Sequence, residues 1–338
     1  MVQVYNTPLR RRYYANRCSA AYCFFLLIVT VVLLLPFFMA YSASGADFWV
    51  KHATYLEEPT VKYNYKLVLI LEGTKAGGTL PQTLFFSTLA PLNSMCQETL
   101  RVPVLRTQEV DGDMDGRAER LDISAQVPVE NGEAIYSAKM MVFFEYELRD
   151  HAKLSMETMG FMQASSPLAG QSLFVDSDLE WHQTWPLSIK GGYSTPYGSE
   201  PLLDLNGVGP WDGGTGAKSI DIPTILKRYR DRNYTTELSS NSFVWEGMLP
   251  PPTLTNGDAG TFNITATVRY PQQVITYQPS VSEVLFDAGI KYLFMFVVVY
   301  LTLDLVCAFV FHHQLVDTYV HTEGVVAATS SRSKFKRF

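Results

Sequence analysis

Two long apolar runs, one near each end of the chain, set the strongest limit on what this sequence can fold into. The first run, Ala20–Tyr41, is 22 residues long and has no charged side chain. As a helix it would extend roughly 33 Å, which is enough to cross a hydrocarbon core of about 30 Å. The second run, Ala288–Phe311, is 24 residues long and contains Lys291 and Asp304. The sequence therefore predicts a two-pass α-helical membrane protein.

The first run has an alternative interpretation as a cleaved signal peptide, because small residues follow it in Ala40–Ser44. The apolar core of a signal peptide is usually about 7–15 residues long. The greater length of Ala20–Tyr41 therefore favours an uncleaved membrane anchor.

The distribution of charge predicts the topology. The predicted segments are an N-terminal tail (1–19), a first span (20–41), a large middle segment (42–287), a second span (288–311) and a C-terminal tail (312–338). Basic residues concentrate in the two tails: Arg10, Arg11, Arg12, Arg17, Arg332, Lys334, Lys336 and Arg337. The positive-inside rule then places both tails in the cytoplasm and the middle segment outside it. That segment carries 18 basic and 30 acidic residues, a net charge of −12, so the chain offers no basic face for nucleic acid.

Asp304 lies inside the second run, about two turns from its nearer end, where a carboxylate cannot readily reach water. One interpretation is an intramembrane contact, for instance a hydrogen bond to Thr30 or Tyr22 of the first run. The alternative is a carboxylate that faces a water-filled defect or the other helix. An ion path through the membrane is disfavoured.

Two glycosylation sequons, beginning at Asn233 and Asn263, both lie in the middle segment, in agreement with the predicted topology. Apolar and polar residues alternate through Thr261–Tyr270. A strand with that period places Asn263 on the solvent-facing side, where a glycan has room.

The cysteines exclude a disulfide framework. Only Cys96 lies in the middle segment, so no disulfide can form within it and a hydrophobic core must hold it together. Cys18 and Cys23 flank the cytoplasmic end of the first span. They are candidates for palmitoylation, with burial as plain thiols the alternative.

Alternating apolar and polar residues fill most of the middle segment and predict β-strands. The clearest stretches are Val61–Leu71, in which Tyr65 falls on the apolar face, Arg120–Val127 and Tyr136–Leu148. Further candidate strands are 84–89, 100–106, 154–163, 172–175, 243–248 and 273–277. Ile222–Arg232 is the one plausible helix. Many short strands with one half-buried face predict a large, mainly antiparallel β ectodomain, built like a sandwich or a jelly roll.

One acidic motif has the spacing of a calcium loop. Acidic side chains occupy positions 1, 3, 5 and 9, and glycine occupies position 6; the acidic residues are Asp111, Asp113, Asp115 and Glu119. Alternate side chains of a tight loop converge on one cation, and the glycine turns the chain back. Asp122 at position 12 is a doubtful ligand, because an EF-hand uses the longer glutamate there. We expect a structural calcium ion; the alternative is a solvated acidic hairpin loop.

Residue patterns typical of catalysis are missing, so no enzyme is expected. The histidines of the middle segment, His52, His151 and His182, have no metal-ligand spacing. Gly213–Ser219 superficially resembles a phosphate-binding loop but lacks the glycine directly before its lysine, and it is predicted to lie outside the cytosol. No cofactor is expected beyond the possible calcium ion.

Several segments resemble the transmembrane protein 231 family. The resemblance is carried by the order and spacing of these stretches: Phe48–Lys51, Tyr55–Val61, Leu100–Pro103 before the acidic loop, Tyr229 with Arg232–Thr236, Arg269–Pro271 and Val274–Pro279. It extends from the first span to Phe311. It is weakest in Gly191–Gly216 and in the C-terminal tail.

The resemblance implies a function that the amino-acid composition alone does not predict. Members of that family are membrane components of the ciliary transition zone, in a complex with tectonics, B9-domain proteins and meckelin-like membrane proteins. The complex supports cilium assembly and the diffusion barrier between the plasma and ciliary membranes. The implied location is the ciliary membrane at the base of the cilium, and the implied role is structural. The basic tails add an expected attraction to anionic membrane lipids.

Two other classes of protein share this layout. An accessory subunit of a channel or transporter can have two spans and a large ectodomain, although such ectodomains commonly contain several disulfides. A calcium-dependent adhesion or receptor protein would suit the acidic ectodomain and its loop. Calcium-dependent self-association would favour adhesion, whereas a current or a substrate flux would favour transport.

Overall fold

The computed structural model describes residues 11–17, 19–75, 80–189, 192–203, 222–247 and 260–322. The chain divides into two units. The first unit combines Met1–Lys51 with Ser280–Phe338, and the second is His52–Pro279.

Two long helices form most of the first unit. Helix α1 spans Ala20–Ser44 and helix α4 spans Val281–His312. Both are long and apolar enough to cross a membrane. Helix α4 begins before the predicted span because a capping box pairs the side chain of Ser280 with the backbone of Glu283, and the side chain of Glu283 with the backbone of Ser280. The helix thus gains seven residues, about two turns, ahead of the predicted span.

The two helices run side by side in opposite directions. The rings of Phe24 and Phe311 meet edge to face at 6.0 Å, and Ala40 packs near Ala288 at the other end. Between these ends, the Tyr292 hydroxyl donates to the Leu33 carbonyl at 3.2 Å.

Short strands in the tails pair beside the ends of these helices. Strand β1 (Arg11–Tyr14) is antiparallel to strand β13 (Tyr319–Thr322). The two described tail segments therefore lie at the same end of the helix pair.

The second unit contains an eight-stranded sheet. Its strands are β3 (Thr60–Thr74), β4 (Pro81–Ser87), β5 (Val104–Val110), β6 (Arg120–Val129), β7 (Ala134–Leu148), β8 (Leu154–Gln183), β10 (Tyr234–Gly247) and β11 (Gly260–Arg269). They follow the order β4-β3-β7-β8-β11-β6-β5, with β10 also paired to β8. A small sheet joins β2 (Ala53–Glu57), β12 (Gln273–Gln278) and β9 (Leu187–Ser188). Short helices α2 (Ala90–Met95) and α3 (Ile222–Arg230) complete the unit.

The eight-stranded sheet curls strongly. The backbone N–H of Tyr63 in β3 donates to a carboxylate oxygen of Glu109 in β5 at 2.6 Å, although these strands lie near opposite ends of the strand order. All its pairings are antiparallel except β8 with β11. The prediction of a mainly antiparallel β domain between two terminal apolar helices is confirmed.

Strand β8 differs from the sequence prediction of two separate strands. It is continuous over Leu154–Gln183, and its first half pairs with β7 while its second half pairs with β10 and β11. The turn-like residues Ser165–Gly170 mark the place where β8 changes partners, which explains why the sequence suggests a break there.

The sheet is covered on both faces, which creates two cores. Val142 and Phe144 of β7 belong to the larger core inside the curl. Phe143, between them, belongs to a second core with Leu92 of α2 and Tyr229 of α3. Since successive side chains of a strand alternate faces, a strand buried on both sides shows a nearly continuous apolar run.

The prediction that Tyr65 faces the core is wrong. Its side chain is 74% exposed and its φ is +54°. Strand β3 bulges between Tyr63 and Leu67, so that three of its residues oppose the single residue Phe143 of β7. The bulge adds two residues, and an even number returns the following side chains to their original face.

Candidate functional site

The acidic loop connects β5 to β6 as a hairpin, as the flanking strand predictions required. Oxygen atoms of Asp111, Asp113 and Asp115 lie within 4.8 Å of one another, and all three side chains are exposed. The Glu119 N–H donates to the Val110 carbonyl at 2.9 Å and closes the hairpin.

Local hydrogen bonds set the geometry of the loop. The Asp111 carboxylate accepts from the N–H of Met114 at 2.7 Å and from that of Gly116 at 3.0 Å. The Asp115 carboxylate accepts from the Arg117 N–H at 2.7 Å. Gly116 has a φ of +87°, a conformation that favours glycine. These bonds hold three carboxylates close together, an arrangement of oxygens that suits a hard cation such as calcium.

The other two acidic residues of the motif lie outside this group. The Glu119 carboxylate is beside Gly112, where an added Cβ atom would come within 2.8 Å of it. Asp122 lies on strand β6, where it accepts from the Thr267 hydroxyl at 3.1 Å and pairs with Arg120 at 3.3 Å. Three of the five predicted ligands are thus brought together.

The two sequons lie in different surroundings. Asn233 is exposed, just after α3 and before β10, and its N–H donates to the Tyr197 hydroxyl at 2.9 Å. Asn263 lies in the middle of the sheet, opposite Gln126 of β6 and Ser172 of β8. It faces away from the buried Phe262 and Ile264, as the alternation predicts, and is half-buried. Its Oδ1 atom is enclosed and has no hydrogen-bond partner among the described residues.

Asp304 is exposed on α4. Within the described part of the chain, no hydrogen bond joins it to Thr30 or Tyr22. The Thr30 hydroxyl instead donates to the Leu26 carbonyl of its own helix at 2.9 Å. Lys291, the other charged residue of the predicted span, pairs with Asp287 at 2.6 Å and donates to the Asp47 carbonyl at 2.9 Å.

Of the two cysteines at the first span, Cys23 is exposed near the start of α1. Several residues singled out in the sequence lie outside the described residues. They are Cys18, the basic residues Arg10, Arg332, Lys334, Lys336 and Arg337, and the glycine-rich segment Gly213–Ser219.

A buried polar cluster that no sequence pattern predicted lies along one edge of β8. The Tyr229 hydroxyl accepts from the N–H of Thr236 at 2.6 Å and from that of Met159 at 3.3 Å, and the Thr236 hydroxyl donates to the Met159 carbonyl at 3.3 Å. Side chains thus satisfy backbone groups of β8 that have no strand partner on this edge among the described residues. Burial raises the pKa of Tyr229.

Arg232 extends this cluster. Its guanidinium donates to the carbonyls of Glu200 at 2.6 Å and Glu157 at 3.3 Å, and it lies 4.5 Å from the centre of the Tyr197 ring. Burial lowers the pKa of Arg232. Tyr229 and Arg232 stood out in the sequence only through the family resemblance, because a tyrosine in a predicted helix and an arginine before a strand have no periodicity to mark them.

The histidines do not form a shared site among the described residues. His151 stacks on Tyr277 at 5.4 Å between ring centres and meets Tyr55 edge to face at 5.1 Å. It fills the junction between β2 and β12 as an aromatic side chain.

Comparisons with known proteins agree on one family. The sequence profile of the family described as transmembrane protein 231 matches residues 1–320. Transmembrane protein 231 of Homo sapiens is 30% identical, with 94% of each chain covered. The Gallus gallus protein is 32% identical over 94% of this chain and 93% of its own, and the Xenopus tropicalis protein is 28% identical over 94% and 95%.

Among solved structures, that of a proton-activated chloride channel aligns over 84% of this chain and 99% of its own, with 9% identity and a TM-score of 0.26. This similarity is too weak to indicate a shared fold or function.

Proposed function

Because the chain belongs to the transmembrane protein 231 family, we propose that it is a structural membrane component of the ciliary transition zone. In this role it supports cilium assembly and the diffusion barrier between the plasma and ciliary membranes. The match over residues 1–320 carries the proposal, because it includes both apolar helices and the β unit between them. The role is exercised through contacts and not through catalysis.

The proposed topology has both tails in the cytoplasm and the β unit outside it. The pairing of β1 with β13 supports a common side for the tails, and the basic residues of the tails favour the cytoplasmic side. The acidic β unit, with its two sequons, then lies where glycosylation takes place.

The proposed partners are tectonics, B9-domain proteins and meckelin-like membrane proteins, together with anionic lipids at the inner leaflet. The two membrane helices and the β unit would offer contacts to membrane-embedded and extracytoplasmic partners. The tails would offer contacts to cytoplasmic ones.

The calcium ion is retained as a proposal for the acidic loop. Its support is the close approach of the Asp111, Asp113 and Asp115 carboxylates. Its role would be structural, since a cation would offset the mutual repulsion of three carboxylates at the tip of the β5–β6 hairpin.

Imaging in a ciliated cell tests the proposed location. The full chain, labelled after Phe338, should give a ring or paired dots just above the basal body when viewed with basal-body and axoneme markers. Diffuse plasma-membrane signal from the intact labelled protein would contradict the transition-zone role. Signal concentrated at cell junctions would instead favour adhesion.

A further inference from the structure

One carboxylate is exposed within the apolar part of α4. Asp304 is eight residues before His312, the last residue of the helix, a distance of about 12 Å along the axis. It is exposed, and no residue in the described part of the chain forms a hydrogen bond or ion pair with its side chain. The position is too deep for this short side chain to reach the polar headgroups.

Helical periodicity defines the surface around it. Val297, Leu301 and Ala308 lie seven and three residues before and four residues after Asp304, so the four residues share one side of α4. We refer to them as the Asp304 face. Val297 is 48% exposed and Leu301 is 57% exposed.

The opposite side of α4 is the one already covered. Ala288 and Val299 are 6% and 4% exposed, and Tyr292 donates a hydrogen bond to the Leu33 carbonyl of α1. Helix α1 therefore leaves the Asp304 face uncovered.

Lipid is an unsuitable neighbour for this face. Ionisable side chains within membrane spans almost always face another helix or a water-filled cavity, where they pair with a second group. A carboxylate calls for a hydrogen-bond donor, and a basic side chain is the donor that also balances its charge.

The two membrane helices of a second copy offer this face no free lysine or arginine. Helix α1 contains no charged residue. In α4 the only lysine or arginine is Lys291, which pairs with Asp287 and lies thirteen residues from Asp304, about 20 Å along the axis. Charge complementarity therefore points to a different protein.

The surface next to Asp304 has room for a long side chain. A cleft of about 620 Å³ opens beside it, lined by Ala308, Phe311, His312 and Tyr13. The small Ala308, one turn further along α4, lets another helix approach closely. The cleft has room for a lysine or arginine side chain that extends from a neighbouring membrane helix.

We propose that the Asp304 face binds a membrane-spanning helix of a different protein, and that Asp304 forms an ion pair with a lysine or arginine of that helix. The proposal rests on the geometry and charge of α4. It holds whether or not the protein acts at the transition zone.

The test is site-specific photocrosslinking of the full chain in the membranes of ciliated cells. A benzophenone side chain replaces Leu301 on the Asp304 face or, as a control, Val306, which lies two residues beyond Asp304, hence on another side of the helix, and is 45% exposed. We expect the probe at 301 to crosslink to a transmembrane segment that contains a lysine or arginine, at least ten times more than the probe at 306. Crosslinks only to lipid, or to a differently tagged second copy, would overturn the proposal.

Substitutions then test the ion pair itself. Asp304→Leu should lower the yield of the crosslink at least tenfold, and Asp304→Lys combined with an aspartate at the partner's basic position should restore it. Failed insertion is not an alternative explanation for the loss, since removal of a charge from a membrane helix favours insertion. An undiminished crosslink in Asp304→Leu, or no rescue by the exchanged charges, would refute the ion pair.

Discussion

Removal of the Tyr229 hydroxyl should destabilise the β unit through the edge of β8. The side chain is 4% exposed, and Tyr229→Phe would leave the N–H groups of Thr236 and Met159 without their acceptor. A buried unpaired polar group costs about 1–3 kcal/mol. We therefore expect the free energy of unfolding to fall by about 2–4 kcal/mol. For a domain of this size, that corresponds to a fall in Tm of roughly 4–16 °C.

Tyr146→Phe is the matched control for this prediction. Tyr146 is fully buried, and its hydroxyl has no hydrogen-bond partner among the described residues. Its ring stacks on Trp181 at 5.0 Å, and phenylalanine keeps that contact. The substitution removes a buried polar group that makes no bond, so the free energy of unfolding should stay the same or rise by about 1 kcal/mol.

The measurement is thermal unfolding of the full chain in detergent, followed by tryptophan fluorescence, with urea unfolding as a second measure of stability. The reasoning predicts that the same chemical change has a large effect at Tyr229 and none, or the opposite one, at Tyr146. It would be refuted if Tyr229→Phe unfolded like the unsubstituted protein, or if the two variants lost equal stability.

Three further predictions concern the glycans, the acidic loop and alkaline pH. Peptide glycosidase should increase the gel mobility of the protein, and the double substitution Asn233→Gln with Asn263→Gln should abolish the shift; a shift that persists would contradict the assigned sites. Chelation of calcium should lower the Tm by about 2–4 °C, the effect of about 1 kcal/mol, and Asp113→Ala should remove that dependence; identical melting with and without chelator would exclude the ion. Burial raises the pKa of Tyr63 to about 12 and that of Tyr270 further. Since unfolded tyrosine titrates near 10, stability should be complete below about pH 10 and should fall above it, by up to about 1.4 kcal/mol per pH unit for each residue; a flat Tm profile across this range would contradict their burial.

Hydrophobic periodicity predicted the helices and strands in which a single pattern of buried and exposed residues dominates. Strands such as β6 and β11 each have one dominant pattern, and their extents agree with the sequence to within a few residues, whereas α4 begins seven residues before its predicted span. Tyr65 was misplaced because alternation cannot reveal a bulge that adds two residues and leaves the phase unchanged. The sequence did not predict that β8 is continuous, for a related reason. Turn-like residues within β8 suggest that the strand ends, although the strand continues there and only changes its partner strands.

The candidate sites likewise divide into those that a local sequence pattern predicted and those that it did not. The acidic loop is local in sequence, so its spacing predicted that Asp111, Asp113 and Asp115 lie together. Asp122 lies apart because strand β6 begins at Arg120 and holds it in the sheet, and Glu119 precedes that strand with its carboxylate beside Gly112. The cluster of Tyr229 and Arg232 joins residues 70 and 75 positions apart, Met159 to Tyr229 and Glu157 to Arg232. Such pairing depends on the tertiary fold and leaves no local pattern.

The lack of disulfides in the β unit gives α3 an unusual importance. Cys96 is the only cysteine between the membrane helices, so burial and hydrogen bonds must supply the stability that secreted domains often draw from cross-links. Phe143 is fully buried only because the outer face of the sheet is also covered, and Tyr229 of α3 belongs to that cover. The hydroxyl of the same side chain satisfies the open edge of β8. Displacement of α3 would therefore expose an apolar sheet face and an unpaired strand edge at once, two features that promote non-specific association. For a protein proposed to act through selective contacts, one tyrosine thus links the stability of the second core to the protection of the sheet edge.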